Sequence, residues 1–118
     1  MNTRILFGSL AAPLLAGAFA TAVLPQTPSS STHEVAIAGF AFKPAQLTIK
    51  AGDTVTFVNN DDETHTATAM DRTFDSGHLD RNARFSYTFT KPGTYPYHCL
   101  IHTSMTGTIA VTAPGNDR

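Results

Sequence analysis

This chain offers few of the groups from which function is usually read. There is one cysteine, Cys99, in 118 residues. A single thiol closes no internal disulfide, so the fold has no covalent framework to lean on. Charge is sparse as well: 14% of residues are charged, with 8 Lys and Arg against 9 Asp and Glu, for a net charge of −1. No basic face is available to displace counterions from phosphates, which excludes nucleic acid as a partner. Beyond His33 no segment carries a helical stripe and no stretch repeats, which excludes a helical bundle or a repeat array. What remains is a 42% hydrophobic chain, too apolar to be disordered and long enough for one domain with a modest core.

The N-terminus reads as an address. Arg4 supplies a short positive start, and Ile5 to Phe19 is apolar apart from Gly, Ser and Pro13. Small residues then alternate through Ala16, Ala18, Ala20 and Ala22, satisfying the A-x-A cleavage pattern of a secretory signal. We expect a signal-peptide helix over residues 1–22, removed after Ala22. The alternative is a retained membrane anchor facing the periplasm, which an Ala- and Gly-rich stretch with a proline supports less well. Removal takes away Arg4 and leaves 7 positive against 9 negative side chains, a charge of −2. Residues 23–32 contain Pro25-Gln26-Thr27-Pro28-Ser29-Ser30-Ser31-Thr32 and read as a flexible linker, with His33 at a frayed start. The folded domain is expected over 33–113, with a tail over 114–118.

Within that domain the hydrophobic period is two. Val35, Ile37 and the pair Phe40 and Phe42 alternate with small or polar residues, as do Leu47 and Ile49, then Val55 and Phe57. Phe85, Tyr87 and Phe89 follow the same rule, and Tyr95, Tyr97 and the run Thr108 to Val111 close the pattern. Ala51-Gly52-Asp53 and Lys91-Pro92-Gly93 are turn signals between these runs. Short alternating strands bounded by turn residues predict an all-β fold, a Greek-key β-sandwich or barrel. Met70 to Ala83 is less regular and reads as a long surface connection, of the kind a Greek key requires.

The chemistry concentrates in Cys99-Leu100-Ile101-His102-Thr103-Ser104-Met105, a C-x-x-H-x-x-M motif where a strand runs into a loop. His65 lies upstream, after Asn59-Asn60-Asp61-Asp62-Glu63-Thr64. A thiolate, two imidazoles and a thioether form a soft donor set, which selects copper over magnesium, calcium or manganese. Two His and one Cys with a weak axial Met is the geometry of electron-transfer copper. Three of these donors share one tight loop, and His65 would tie that loop to the body of the domain. A site held this way relaxes little between copper(II) and copper(I), so each electron transfer requires little reorganisation. The other histidines stand apart. His98 neighbours Cys99 and faces the opposite way on a strand, His33 is at the start, and His78 lies in the long connection. Asp61-Asp62-Glu63 reads as a solvated polar turn.

From about Val35 to Thr112 the chain resembles the cupredoxins, the type 1 blue copper family, nearest the amicyanin, plastocyanin and pseudoazurin branch. The likeness is carried by Phe40-x-Phe42-x-Pro44, by Leu47-Thr48-Ile49-x-Ala51-Gly52-Asp53-Thr54-Val55, by Asn59 with His65, and by Phe89 to Cys99. The short C-x-x-H-x-x-M spacing is similar to that of amicyanin. The resemblance implies one type 1 copper ion, held by His65, Cys99 and His102 with Met105 as axial ligand. It implies that Asn59 ties the His65 loop to the Cys99 loop. It also implies that His65 is interior and that His102 reaches the surface through an apolar patch drawn from Ala67, Leu100, Ile101 and the loop around Pro44. Thr103 departs from the proline that many relatives carry after the second histidine.

The expected function is a small exported, periplasmic electron shuttle, a monomer that passes single electrons between a donor and an acceptor redox protein. No small-molecule substrate is expected, and no membrane contact unless the N-terminal segment is retained. The alternative is a periplasmic copper carrier or storage module without redox duty. An enzyme using Cys99 and a histidine as a nucleophile pair leaves Met105 unexplained. Multicopper oxidases and nitrite reductases need further domains and further ligands. Structural zinc prefers more thiolates or histidines in a closed tetrahedron.

Overall fold

The computed structural model describes residues 29–114. The signal-peptide helix expected over 1–22, the first part of the expected linker and tail residues 115–118 lie outside the described residues. Eight strands form two four-stranded sheets, and no helix occurs among the described residues. The strands are β1 (Thr32–Ile37), β2 (Phe42–Lys43), β3 (Gln46–Lys50), β4 (Thr54–Asn59), β5 (Thr68–Ala69), β6 (Arg84–Thr88), β7 (Gly93–His98) and β8 (Thr106–Thr112). One sheet has the order β2-β1-β4-β6 and the other β3-β8-β7-β5. β1 and β4 run parallel, as do β3 and β8, while the remaining neighbours are antiparallel. The expected all-β sandwich is therefore what the chain forms.

The period-two pattern decides which face is inside. Val35 and Ile37 of β1, Val55 and Phe57 of β4, Tyr97 of β7 and Ile109 of β8 are all fully buried and pack in one cluster. Each such side chain contributes about 1.5–3 kcal/mol by leaving water. Phe57 sits centrally, edge-on to Tyr97 at 5.3 Å between ring centroids and stacked on Phe74 at 5.7 Å.

Phe74 and Leu79 belong to the segment read as a surface connection, yet both are buried. Single bridges, Thr68 to Asp75 and His65 to Leu79, stitch this segment to the sheet edge. No alternation marks it, because its core contacts are isolated side chains rather than a strand.

Two local readings change. β1 begins at Thr32, and His33 lies inside it rather than at a frayed end. Its Nε2 is 3.0 Å from Asp53 Oδ2, and the same carboxylate accepts the Ser31 and Lys50 amides. Phe40 is the second change. Its strand-like spacing from Phe42 suggested a common face, but Phe42 is buried and Phe40 is 45% exposed. Gly39 and Phe40 form a two-residue turn between β1 and β2, with reciprocal backbone bonds between Ala38 and Ala41. Both turn residues have positive φ, 62° and 57°. That is the twist a tight hairpin favours, and a bulky residue is strained in it.

Candidate metal centre

β4 ends at Asn59 and β7 at His98, and the site is built from the segments that follow these two strand ends. Just past β7, Cys99 begins the loop that returns to β8. That loop is closed on itself: the Cys99 amide donates to the Met105 carbonyl at 3.1 Å, and the Met105 amide donates to the His102 carbonyl at 2.9 Å. The extended antiparallel pairing of His98 with Thr106 fixes its base. His65 is placed separately, by a pair of backbone bonds with Leu79 at 3.1 and 2.7 Å.

These constraints bring His65, Cys99 and His102 together, with their donor atoms all within 4.8 Å of one another. His65 Nδ1 and His102 Nδ1 each lie 3.8 Å from Cys99 Sγ. Metal–nitrogen and metal–sulfur bonds of about 2.0 and 2.3 Å meeting at ~120° would separate N and S by about 3.7 Å. The three donors therefore fit a single ion in trigonal array. His65 and Cys99 are fully buried and His102 is half-buried, so the trio is dry on one side and open on the other. Met105 is buried in the same core cluster, at the close of the loop. His33, His78 and His98 are not part of the donor group.

The surroundings orient each donor. The Thr66 amide donates to Cys99 Sγ at 3.3 Å, and the Thr66 hydroxyl accepts the Leu100 amide at 2.9 Å. These two contacts fix the sulfur and the start of the loop against the residue that follows His65. Asp61 Oδ2 lies 2.9 Å from His65 Nε2. Burial pushes the Asp61 carboxyl up, but the Phe40 and Gly39 amides and the His65 ring outweigh it and hold the group below its ordinary value. The ionised carboxylate can only accept, so Nε2 carries the hydrogen and the Nδ1 lone pair is free for a metal.

The cupredoxin-like domain family model matches residues 10–111. The chain belongs to the cupredoxin family. It is 33% identical over 108 residues to amicyanin-alpha of Methylorubrum extorquens, covering 87% of this chain and 88% of that protein. It is 32% identical over 82 residues to amicyanin of Paracoccus denitrificans, covering 65% of this chain and 63% of that protein. Among solved structures, an amicyanin mutant in its Cu(I) form superposes with a TM-score of 0.64 at 29% identity, covering 68% of this chain and 81% of that one. A purple cupredoxin from Nitrosopumilus maritimus gives the same TM-score at 26% identity, covering 68% of this chain and 99% of that one. As a cupredoxin, the chain is an electron carrier rather than an enzyme, with one type 1 copper as its cofactor.

Within this cupredoxin, three expectations from the sequence need correction. Asn59 does not join the two ligand loops. Its side-chain amide donates to the Glu63 and Leu79 carbonyls at 2.8 Å each, and its oxygen accepts the Asp61 amide, so it braces the His65 side alone. Thr66 makes the link to the Cys99 loop instead, because it directly follows His65 and reaches across. Ala67 cannot contribute to a surface patch, since it is fully buried beneath Ser76, with which it exchanges hydrogen bonds. Asp61 is not simply solvated. Asp62 and Glu63 are exposed, but Asp61 turns inward onto His65. Its position four residues before His65 was the available signal.

Proposed function

We propose that His65, Cys99, His102 and Met105 hold the copper, and that the chain carries single electrons between two redox proteins in the periplasm. The observation that supports this most is the asymmetric burial of a three-donor group of the right size. The bound ion supplies a one-electron Cu(II)/Cu(I) couple. The chain supplies everything else. Buried His65 and Cys99 exclude water from the interior side, and the doubly closed Cys99 to Met105 loop keeps His102 and Met105 from shifting between oxidation states. His102 is the half-buried donor, so its edge is the port. Around it, Phe40, Leu100 and Ile101 are large apolar side chains at 45%, 41% and 45% exposure. The Phe40 ring packs edge-on against His102 at 4.9 Å. An apolar surface around the port lets a partner approach closely without desolvating charge, which suits brief encounters. Export follows from the N-terminal signal reading, and a monomer serves this role without any further subunit.

The test is voltammetry of the copper-loaded mature protein. A reversible one-electron wave is expected, together with rapid oxidation and reduction by small redox proteins. A protein that takes up only copper(I), and never yields a reducible copper(II) form, would make it a carrier instead.

A further inference from the structure

Asp61 joins two elements that the sequence keeps apart. Its Oδ2 meets His65 Nε2 at 2.9 Å and accepts the Phe40 amide at 2.9 Å, while Oδ1 accepts the Gly39 amide at 2.7 Å. Asp61 is itself fixed, because its own amide donates to Asn59 Oδ1 at 2.9 Å. The His65 side chain is 0% exposed and that of Asp61 13%, so little water lies between the charge and the ring. A carboxylate on the far nitrogen of a metal-bound imidazole fixes its tautomer and makes it a stronger donor. A fixed negative charge at that distance also favours the more positive ion, Cu(II) over Cu(I).

The same carboxylate holds the strained turn. A bulky residue at positive φ costs on the order of 1–3 kcal/mol, and such strain persists only where surrounding contacts enforce it. Here two amides on one carboxylate enforce it, and the result is placement of the Phe40 ring. That ring stands edge-on to His65 at 5.0 Å and to His102 at 4.9 Å, covering both imidazoles.

We propose that Asp61 is a positioning residue that lowers the reduction potential of the copper couple through His65, and that it keeps the Phe40 ring seated on both histidines. This rests on the copper-ligand assignment above.

Asp61→Asn keeps the shape and removes the charge. Loss of a group that braces a ligand weakens metal binding about 10- to 100-fold. A tenfold loss confined to Cu(II) raises the midpoint by about 59 mV for a one-electron couple. The expected result is an upward shift of that order with the copper(II) absorption retained. Phe40→Gly is the control. It relieves the turn and admits water, which stabilises Cu(II), so its midpoint should hold or fall. An unchanged midpoint in Asp61→Asn, or an equal upward shift in Phe40→Gly, overturns the proposal. Should Asp61→Asn fail to fold, nuclear magnetic resonance of the unmodified Cu(I) protein decides. An Nε2-bound proton on His65 that exchanges slowly supports the proposal, and a fast-exchanging or absent one overturns it. Failure of the unmodified protein to form a coloured copper(II) site would instead overturn the ligand assignment.

Discussion

Gly107 faces Tyr97 directly across the β7–β8 pair. A Cβ at Gly107 would lie 2.4 Å from both Cζ and Oη of that ring and 2.8 Å from Cε1. Ordinary carbon contacts are about 3.5–4.0 Å, so the ring would have to retreat by about an ångström or more. It has nowhere to go. Tyr97 is fully buried, with Phe42 at 4.7 Å and Phe57 at 5.3 Å between centroids. Gly107→Ala is therefore overpacking of a closed core, which costs about 1–3 kcal/mol and sometimes more. At about 4–8 °C per kcal/mol for a domain of this size, the melting midpoint should fall by about 4–24 °C. Tyr97 lies two positions before Cys99 and Gly107 two after Met105, so the strain enters both ends of the ligand loop, and copper affinity should fall with it. The assay is thermal and urea unfolding of the single variant beside Gly107→Ala/Tyr97→Leu. Vacating the ring should recover stability relative to the sum of the two single changes, a coupling that a double-mutant cycle reads directly. A Gly107→Ala protein as stable as the parent, or one with no coupling to Tyr97, would refute the packing argument.

Three other predictions follow from the same contacts. Thr66→Val keeps the volume but leaves the Leu100 amide without its acceptor; a loss of about 1–3 kcal/mol in urea unfolding, with a perturbed copper spectrum, is expected, and an unaltered protein would show that Thr66 does not brace the loop. Asp53 is held at about 2, below its ordinary 3.8, by the His33 hydrogen bond and the Ser31 amide against the opposing effect of burial. Its folded pKa is depressed, so its contribution is fully present above about pH 5 and fades as pH falls through 4 towards 2; Asp53→Asn should flatten the acid limb of the stability curve in that window, and an identical limb would count against it. Met105→Gln should retain copper and lower the midpoint, because the harder amide oxygen favours Cu(II) at the axial position that tunes the potential; an unchanged voltammogram would remove Met105 from the ligand set.

The sandwich was legible because its strands alternate cleanly. Val55 and Phe57, or Tyr95 and Tyr97, point the same way in any register, and the turn signals at Gly52 and Gly93 separate one strand from the next. The donor set was legible for a different reason: three soft donors fall within one short motif, and spacing alone places them on one loop. What surrounds the donors was not legible. Thr66, Asp61 and Phe40 act through tertiary contacts whose partners lie far off in sequence or on the opposite sheet. A threonine beside a histidine, an aspartate in an acidic run and a phenylalanine near a strand each have a commoner role. Phe74 and Leu79 escaped notice similarly, since an isolated buried side chain in an irregular segment leaves no period to detect.

The proposed electron-transfer site depends on Cys99, with His65 and His102, holding copper. The most direct measurement is the visible and electron-paramagnetic-resonance spectrum of the copper(II)-loaded protein beside that of Cys99→Ser. The parent should show the intense thiolate-to-copper charge-transfer band of a type 1 centre, and the variant should lose it. A band that persists in Cys99→Ser, or a parent that binds copper(II) without one, would contradict the assignment.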